Sequence, residues 1–385
     1  MLTSIEGACE AQNNNAALSG VQVRGVWHRP NSSKKEHDLD GIIAVLEDFK
    51  ASGINLVFLE TLYHGMSVWK NELFPYNYRY ENFTYGDYPD YLTAFVTEAS
   101  NRGIKVHAWV QDFYVGVKEE RSFIQEHLDW MLINQDGGLR HTTEGVGFGG
   151  YLFLDPANKQ VREHLVKFYD SLLTAFPQIA GLNMDYIRYP ISIFEEESDT
   201  GYTEVCMTEF AEKYQLTLDK DNMREDLYSL ISSLGLLDAW IAHRAEYVTG
   251  FVRSVREMVD TKHPGKLVST AIFPEIEQTY TKKKQSIKTW LDNRYVDVVT
   301  PMVHFYGAAQ VHESVKELKS MCGNISCYTG LYTTYHNQLP GDLLEHIDAS
   351  ARAGAEGFVL FDSAKTFYEA AQDYKSFLAD HFGGK

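Results

Sequence analysis

Only four cysteines occur in 385 residues: Cys9, Cys206, Cys322 and Cys327. They are too few and too scattered for a disulfide scaffold or a zinc site. Cys322 and Cys327 flank a Gly-Asn turn and read as small buried hydrophobes rather than a bridge. Positive charge is also in deficit, since 35 Lys and Arg face 53 Asp and Glu, for a formal net charge of −18. That balance argues against nucleic acid or an anionic membrane as partner, because either demands a basic patch. No stretch approaches the ~18 consecutive apolar residues of a membrane span. The first twenty residues lack a basic head and an apolar centre, so they are not an intact signal peptide. They read as a disordered leader or an expression remnant, ahead of a single domain over residues 21–385. There is no glycine-rich phosphate loop and no HxH or HExxH spacing, so neither cofactor nor metal is expected. Internal repeats and low-complexity tracts are missing as well.

What the chain does have is aromatic weight and a recurring grammar. Aromatic residues make up 13%, with 24 Tyr and 21 Phe. Carbohydrate sites use such rings as platforms, and a Tyr-rich core and surface is the plainer alternative. Three stretches, "FKASGINLVFL", "ASNRGIKVHAWV" and "SARAGAEGFVLF", each run from a helical pattern through a glycine into an apolar strand. Glycine there supplies the left-handed conformation that ends a helix. Counting such units gives eight strands, at 21–30, 54–65, 104–116, 179–190, 266–275, 296–307, 325–335 and 357–363. Amphipathic segments such as "DLDGIIAVLEDFKASG" separate them. Eight βα units predict an α/β fold, a single (β/α)8 TIM barrel with long loops after strands three and four. An open doubly wound sheet would need a phosphate-cradling first turn, and "GVWHRPN" is not one. Asp155 before Pro156 is expected to N-cap the helix that follows.

In such a barrel the carboxyl ends of all strands meet on one face, where active sites sit. The strand-end inventory begins with Trp27, His28 and Arg29, then Glu60, Tyr63 and His64, then His107, Trp109, Asp112 and Tyr114. It continues with Asp185, Tyr186, Arg188 and Tyr189, with Glu275 and Glu277, and with His304 and Tyr306. Tyr332, Tyr335 and Asp362 close it. Carboxylates, aromatic rings and imidazoles suit hydrolysis of a glycosidic bond, which needs two carboxyl groups.

The segments "RGVWHRP", "VHAWVQDF", "LDPANKQVREHLVKFYDSLL", "GLNMDYIRYP", "VDVVTPMVHF" and "GAEGFVLFDS" resemble successive landmarks of the bacterial glycosyl-hydrolase-like family ten. The resemblance runs from about residue 22 to about residue 363. "DYIRYP" and "HAW" are its most specific parts. It implies a (β/α)8 glycosidase acting on a bacterial envelope or extracellular polysaccharide, with amino-sugar polymers favoured. It also implies a protein that is exported or lipid-anchored, hence extracytoplasmic or secreted. The family's strand-four aspartate corresponds to Asp185, and its His-Ala-Trp to His107, Ala108 and Trp109.

Asp185 is therefore the leading catalytic candidate, with an ion pair to Arg188 or Arg24 as its structural alternative. Glu275, Glu60 and Asp112 compete for the partner role. By analogy with one large group of retaining barrel glycosidases, Asp185 is expected as nucleophile or charge-stabilising carboxylate and Glu275 as general acid. Glu275 follows the apolar "AIFP", whose partial burial would suit that task. Trp27, His28, Tyr63, His107, Trp109, Tyr186, Arg188, His304, Tyr306, Tyr332 and Asp362 are candidate substrate contacts. Each has a plainer reading. The histidines are often satisfied structurally, either indole can be a buried ring with one hydrogen bond, and Asp362 beside Ser363 can cap a helix. The Glu195–Glu197 run reads as a solvated loop. The main cleft is expected to be lined by Trp109, Asp112, Asp185, Arg188, His304 and Tyr306, with the loops after strands three and four as its walls. A catalytically inactive glycan-binding barrel and a metal-dependent barrel hydrolase are the competing functions.

Overall fold

The computed structural model describes residues 20–116, 123–139, 151–190, 199–333, 339–370 and 373–384. The expected leader, Cys9, the Glu195–Glu197 run and Tyr335 lie outside the described residues.

The helix–glycine–strand grammar is realised where it was expected. Gly53, Gly103 and Gly354 all hold positive φ, at 73°, 72° and 96°. At Gly53 a side chain is excluded twice over, because a Cβ there would lie 2.3 Å from the backbone oxygen of Phe382. A Gly53→Ala change would therefore strain the turn and push away the last helix.

Eight strands follow: β1 (Val23–His28), β2 (Leu56–Tyr63), β3 (Lys105–Gln111), β4 (Gly181–Asp185), β5 (Leu267–Ile272), β6 (Val298–Pro301), β7 (Ser326–Tyr332) and β8 (Gly357–Phe361). All pair in parallel with their sequence neighbours, and β1 also pairs with β8, so the sheet closes into a (β/α)8 barrel. Two helices pack outside its first strands, α1 (Leu39–Ala51) and α2 (Tyr91–Asn101). In α1, Ile42, Val45, Leu46 and Phe49 recur at helical spacing and are fully buried. Each such side chain contributes roughly 1.5–3 kcal/mol of burial. The rest of the layer is α3 (Lys159–Ala175), α4 (Glu204–Tyr214), α5 (Met223–Ser233), α6 (Leu237–Lys262), α7 (Ile276–Lys283), α8 (Ile287–Asp292), α9 (Ala308–Cys322), α10 (Pro340–Arg352) and α11 (Tyr374–Phe382).

Strand alternation divides the interior in two. One core lies between sheet and helices. The other fills the barrel itself with Trp27, Leu56, Phe58, Trp109, Val298, Tyr328 and Val359. Glycines make room for the large rings: a Cβ on Gly330 would come within 3.0 Å of the Trp27 ring, and one on Gly181 within 2.8 Å of His107.

Two expectations are corrected. The stretch 104–116 is not one strand. After Gln111 the chain leaves the barrel, and Tyr114–Gly116 pairs antiparallel with Leu152–Phe153. Asp155 is not the cap of α3, whose N-cap is Asn158. Asp155 instead accepts from the Ala157 N–H and the Thr203 hydroxyl, tying this turn to the segment before α4. The insert after β4 builds a satellite core from Tyr202, Cys206, Met207, Phe210, Leu227, Ile231 and Trp240. Its cavity of about 850 Å³ is lined by Ile133, Tyr202, Met207, Leu216 and Arg224 among others, and by none of the residues expected to line the main cleft. The segments 117–122, 140–150 and 191–198, from which walls for that cleft were expected, lie outside the described residues.

Candidate active site

Register determines which strand-end residues can meet. Glu60 on β2 lies opposite Trp109 on β3, which lies opposite Asn183 on β4. Two residues further on, Gln111 lies opposite Asp185. Pleating puts all of these on the barrel's inner face. A register shift between Glu60 and Leu62 marks a bulge in β2 beside this group, a device that often re-aims a side chain next to a site.

Glu60 is 2% exposed. Its Oε1 accepts from Arg29 Nε at 3.3 Å and from Gln111 Nε2 at 3.1 Å. Among the described residues no hydrogen bond reaches its second oxygen. Burial pushes this carboxyl up to about 7; Arg29 opposes the rise, while the Asp185 and Asp362 charges add to it. Asp185 is half-buried and closes its strand. Its Oδ2 accepts from the Trp109 indole at 3.0 Å and its Oδ1 from the Tyr186 N–H at 2.7 Å. Burial raises Asp185 too, against those two donors and the charges of Arg188 and Arg29. Tyr186, at φ 53°, is in the left-handed region. This is uncommon for an aromatic residue, and it turns the chain so that its N–H meets the preceding carboxylate. Tyr186 is wedged between Tyr114, stacked at 4.6 Å, and the Arg188 guanidinium at 4.7 Å.

Arg29 joins the two ends of the barrel closure. Its Nη1 donates to Asp362 Oδ2 at 3.1 Å while its Nε serves Glu60. Its guanidinium lies over Trp109, Phe361 and Tyr63 at 5.2, 5.6 and 5.9 Å. Asp362 Oδ1 also accepts from the Lys365 N–H in the short helical segment Ala364–Tyr368, whose N-cap is Ser363. The final helix α11 is capped by Asp373, so Asp362 does not have the capping role of its plainer reading.

Four candidates do not join this group. Asp112 is fully buried on the outer side of β3, where both its oxygens accept from Tyr169 of α3 at 2.8 and 3.0 Å. His28 also points outward: it bonds Glu36 and Ser363 at 2.8 Å each and stacks on Phe95 of α2. Alternation explains both, because Asp112 is an odd step from Gln111 and His28 an odd step from Trp27. Glu275 is exposed at the start of α7 and accepts from the Tyr306 hydroxyl, so the partial burial expected of it is missing. Among the described residues this pair makes no hydrogen bond with Glu60 or Asp185.

The indoles are floor rather than platform. Trp27 and Trp109 are 2% and 1% exposed, and the Trp27 indole N–H is taken by Asn183 at 3.0 Å. His107 lies within the barrel beside Phe58, and burial pushes its ring down to about 3. His304 is half-buried on Phe361, with rings 5.0 Å apart, and burial pushes it down to about 4. Tyr332 packs on the same ring. Beside them stands Phe305, 65% exposed and 6.3 Å from Tyr332, which sequence reasoning passed over. Arg29 was in the strand-end inventory without a role, and Gln111 was missed. A parity count from Trp109 would have found Gln111. Among the described residues no group of three or more His, Cys, Asp and Glu could hold a metal ion, and no helix is long and apolar enough to cross a membrane.

Residues 22–338 match the glycosyl hydrolase-like 10 family. Glycosyl hydrolase DigH of Escherichia coli (strain K12) is 25% identical over 162 residues, which is 41% of this chain and 36% of that protein. The match thus spans about a third of the curated relative's length. Among solved structures, the catalytic domain of β-amylase from Paenibacillus polymyxa is similar with a TM-score of 0.61 at 10% identity, covering 93% of this chain and 97% of that one. A β-galactosidase from Bacillus circulans sp. alkalophilus gives 0.58 at 13% identity, over 88% of this chain and 50% of that one. At such identities the structural likeness concerns the fold.

Proposed function

The chain belongs to the glycosyl hydrolase-like 10 family, and from that premise we propose that it is a glycoside hydrolase with Asp185 and Glu60 as its working carboxylates. The observation that carries this reading is their shared face: both acids point into the barrel mouth, and each is held by a β3 side chain, Gln111 or Trp109. Their strands flank β3 about 10 Å apart, and Asp185 lies two residues further along than the level of Glu60, so the two backbones stand about 12 Å apart. Side chains converging on the axis then fall within the roughly 5–9.5 Å over which glycosidase carboxyls act.

Roles follow from the unequal compensation of the two acids. Glu60, pushed up to about 7, keeps a proton on about half of the molecules at neutral pH and has Oε2 open to donate it to the glycosidic oxygen. Once Glu60 is neutral its repulsion of Asp185 vanishes. The two donors on Asp185, with Arg188 and Arg29, then favour its anion. That anion would attack or stabilise the developing oxocarbenium centre. Splitting two nearby carboxyls into one acid and one anion is the general solution to this chemistry.

As substrate we propose a bacterial envelope or extracellular polysaccharide, with amino-sugar glycan favoured and the site of action outside the cytoplasm. Family membership supports this, and the net charge of −18 is compatible with it. Phe305 and Tyr332 offer an apolar shelf on which the CH-rich face of a pyranose can pack. The test is hydrolysis of peptidoglycan-derived and other polysaccharide strands by wild type, Asp185→Asn and Glu60→Gln. Cleavage by wild type and its loss in both variants supports the reading. Binding of the same glycans without any cleavage by wild type would leave a glycan-binding barrel instead.

A further inference from the structure

Three carboxyls and one guanidinium crowd the mouth where β1, β2, β4 and β8 end. Arg29 does not meet Glu60 through two parallel N–H groups, the geometry in which an arginine best neutralises a carboxylate. It spends Nε on Glu60 at 3.3 Å and Nη1 on Asp362 at 3.1 Å. Asp362 is held in place from the other side. Oδ1 accepts from the Lys365 N–H at 3.1 Å, its backbone oxygen accepts from the Thr366 N–H at 2.9 Å, and it is 6% exposed. Arg29 is held too, since the rings of Trp109, Phe361 and Tyr63 surround its plane.

From this arrangement we propose that Asp362 is a positioning residue that readies Glu60 for proton donation by keeping the Arg29 guanidinium shared between them. The proposal rests on the reading of Glu60 as general acid.

The charge count gives the physical reason. Around Glu60 stand Arg29 from the end of β1, Tyr63 at the end of β2, Trp109 and Gln111 from β3, Asp185 from β4, Asp362 after β8, and Tyr80 of the short turn Tyr78–Tyr80. Arg29 is the one cation that bonds Glu60, while Arg188 faces Asp185 and Lys365 faces Asp362. Were all three carboxyls ionised, Glu60 would hold only a shared claim on Arg29, and burying an undercompensated charge is expensive. A proton relieves the excess, and Glu60 is where it settles. Glu60 is the most buried of the three, and both of its hydrogen-bond donors fall on one oxygen. Asp362 thus acts twice in the same direction, by its own charge and by drawing off half of the arginine's hydrogen bonding.

The experiment is a pH series of kcat and KM on one oligosaccharide with wild type, Asp362→Asn, Arg29→Gln and Glu60→Gln. Loss of a protonated general acid sets the basic limb of the profile. Asp362→Asn should move that limb to lower pH by on the order of one unit, and Arg29→Gln should move it to higher pH. A limb that stays in place in Asp362→Asn, including one that stays while KM rises, overturns the proposal and leaves Asp362 as a sugar contact. Because either variant can fold poorly, the protonated-carboxyl infrared band assigned by difference against Glu60→Gln gives the same titration without turnover. Shifts of opposite sign in the two variants support the proposal, and equal or absent shifts overturn it. Full turnover of the oligosaccharide by Glu60→Gln would instead remove the general-acid reading itself.

Discussion

Two carboxylates stand back to back across the barrel wall. Asp112 donates its backbone N–H to the backbone oxygen of Asp185 at 2.9 Å, yet Asp112 faces the helices and Asp185 faces the mouth. Burial raises both. What separates them is what they can reach. Asp112 is closed over by the Tyr169 hydroxyl, whereas Asp185 is half-buried at the end of its strand. The same contrast holds for Glu36 and Glu60. Glu36 is fully buried and takes the His28 ring, the Tyr91 hydroxyl and the Ser33 hydroxyl. Burial works against its charge, but those partners prevail and hold it below the usual carboxylate range. Glu60 is almost as buried, shares its one cation, and is pushed up to about 7. A perturbed acid alone therefore does not single out a site. The inner face and a shortage of compensation are what the proposed pair has and Asp112 and Glu36 lack.

The sharpest way to break this comparison is to neutralise the two faces in turn. Asp185→Asn should lower turnover of a natural glycan by roughly 10³-fold or more, at least the middle of the ~10²–10⁴ range of one proton-transfer group. Asp112→Asn should lower the melting temperature while leaving kcat of the folded fraction near wild type. A kinetic collapse in Asp112→Asn without unfolding would erase the distinction. Next in size is Glu36→Gln, which strands the buried His28 ring and should cost about 3 kcal/mol of stability by denaturant titration. Glycan turnover should persist until the protein melts.

The pH dependence of stability sharpens the contrast through its sign. Glu36 is held low, so its contribution is present above its unfolded value and is lost as pH falls through its folded one. Glu60 is held high, so its neutral form is favourable below about 4.5 and that advantage is lost as pH rises towards about 7. Glu60→Gln should therefore stabilise the protein at pH ~8 by on the order of a few kcal/mol and change little at pH ~4, as thermal melts would show. A uniform destabilisation at both pH values would mean that Glu60 is a structural acid like Glu36. The smallest effect belongs to the rim. Phe305→Ala should raise KM for long oligosaccharides by roughly threefold to tenfold, the size of one aromatic contact, with short aryl glycosides unaffected.

The barrel was legible because its signals are local. A glycine that ends a helix and an apolar strand that follows it are properties of adjacent residues, and at the three places where they were read Gly53, Gly103 and Gly354 behave as those rules require. Asp185 was legible from its strand end and from "DYIRYP". The choice among its possible partners was not, because it depends on which strands lean together: Glu60 was one of three competing candidates, and what favours it in the proposal, its bonds to Gln111 and Arg29, comes from other strands. His28 and Asp112 were misplaced for a simpler reason. Strand ends were counted without alternation, although Trp27 and Trp109 already fixed which positions face inward. Glu275 was judged by the apolar residues before it, but the chain passes to the surface as α7 begins. The indoles were buried by glycines on distant strands, at Gly330 for Trp27, which no local pattern announces.

The most direct test of the central claim sets the two rival acids side by side. Turnover of one natural glycan is measured with Glu60→Gln and Glu275→Gln, each also assayed on a glycoside with a good leaving group that needs little protonation. The inward pairing predicts that Glu60→Gln loses about a hundredfold or more on the glycan but little on the activated substrate, while Glu275→Gln stays near wild type on both. The reverse pattern, with Glu275→Gln inactive on the glycan and Glu60→Gln unimpaired, would contradict it.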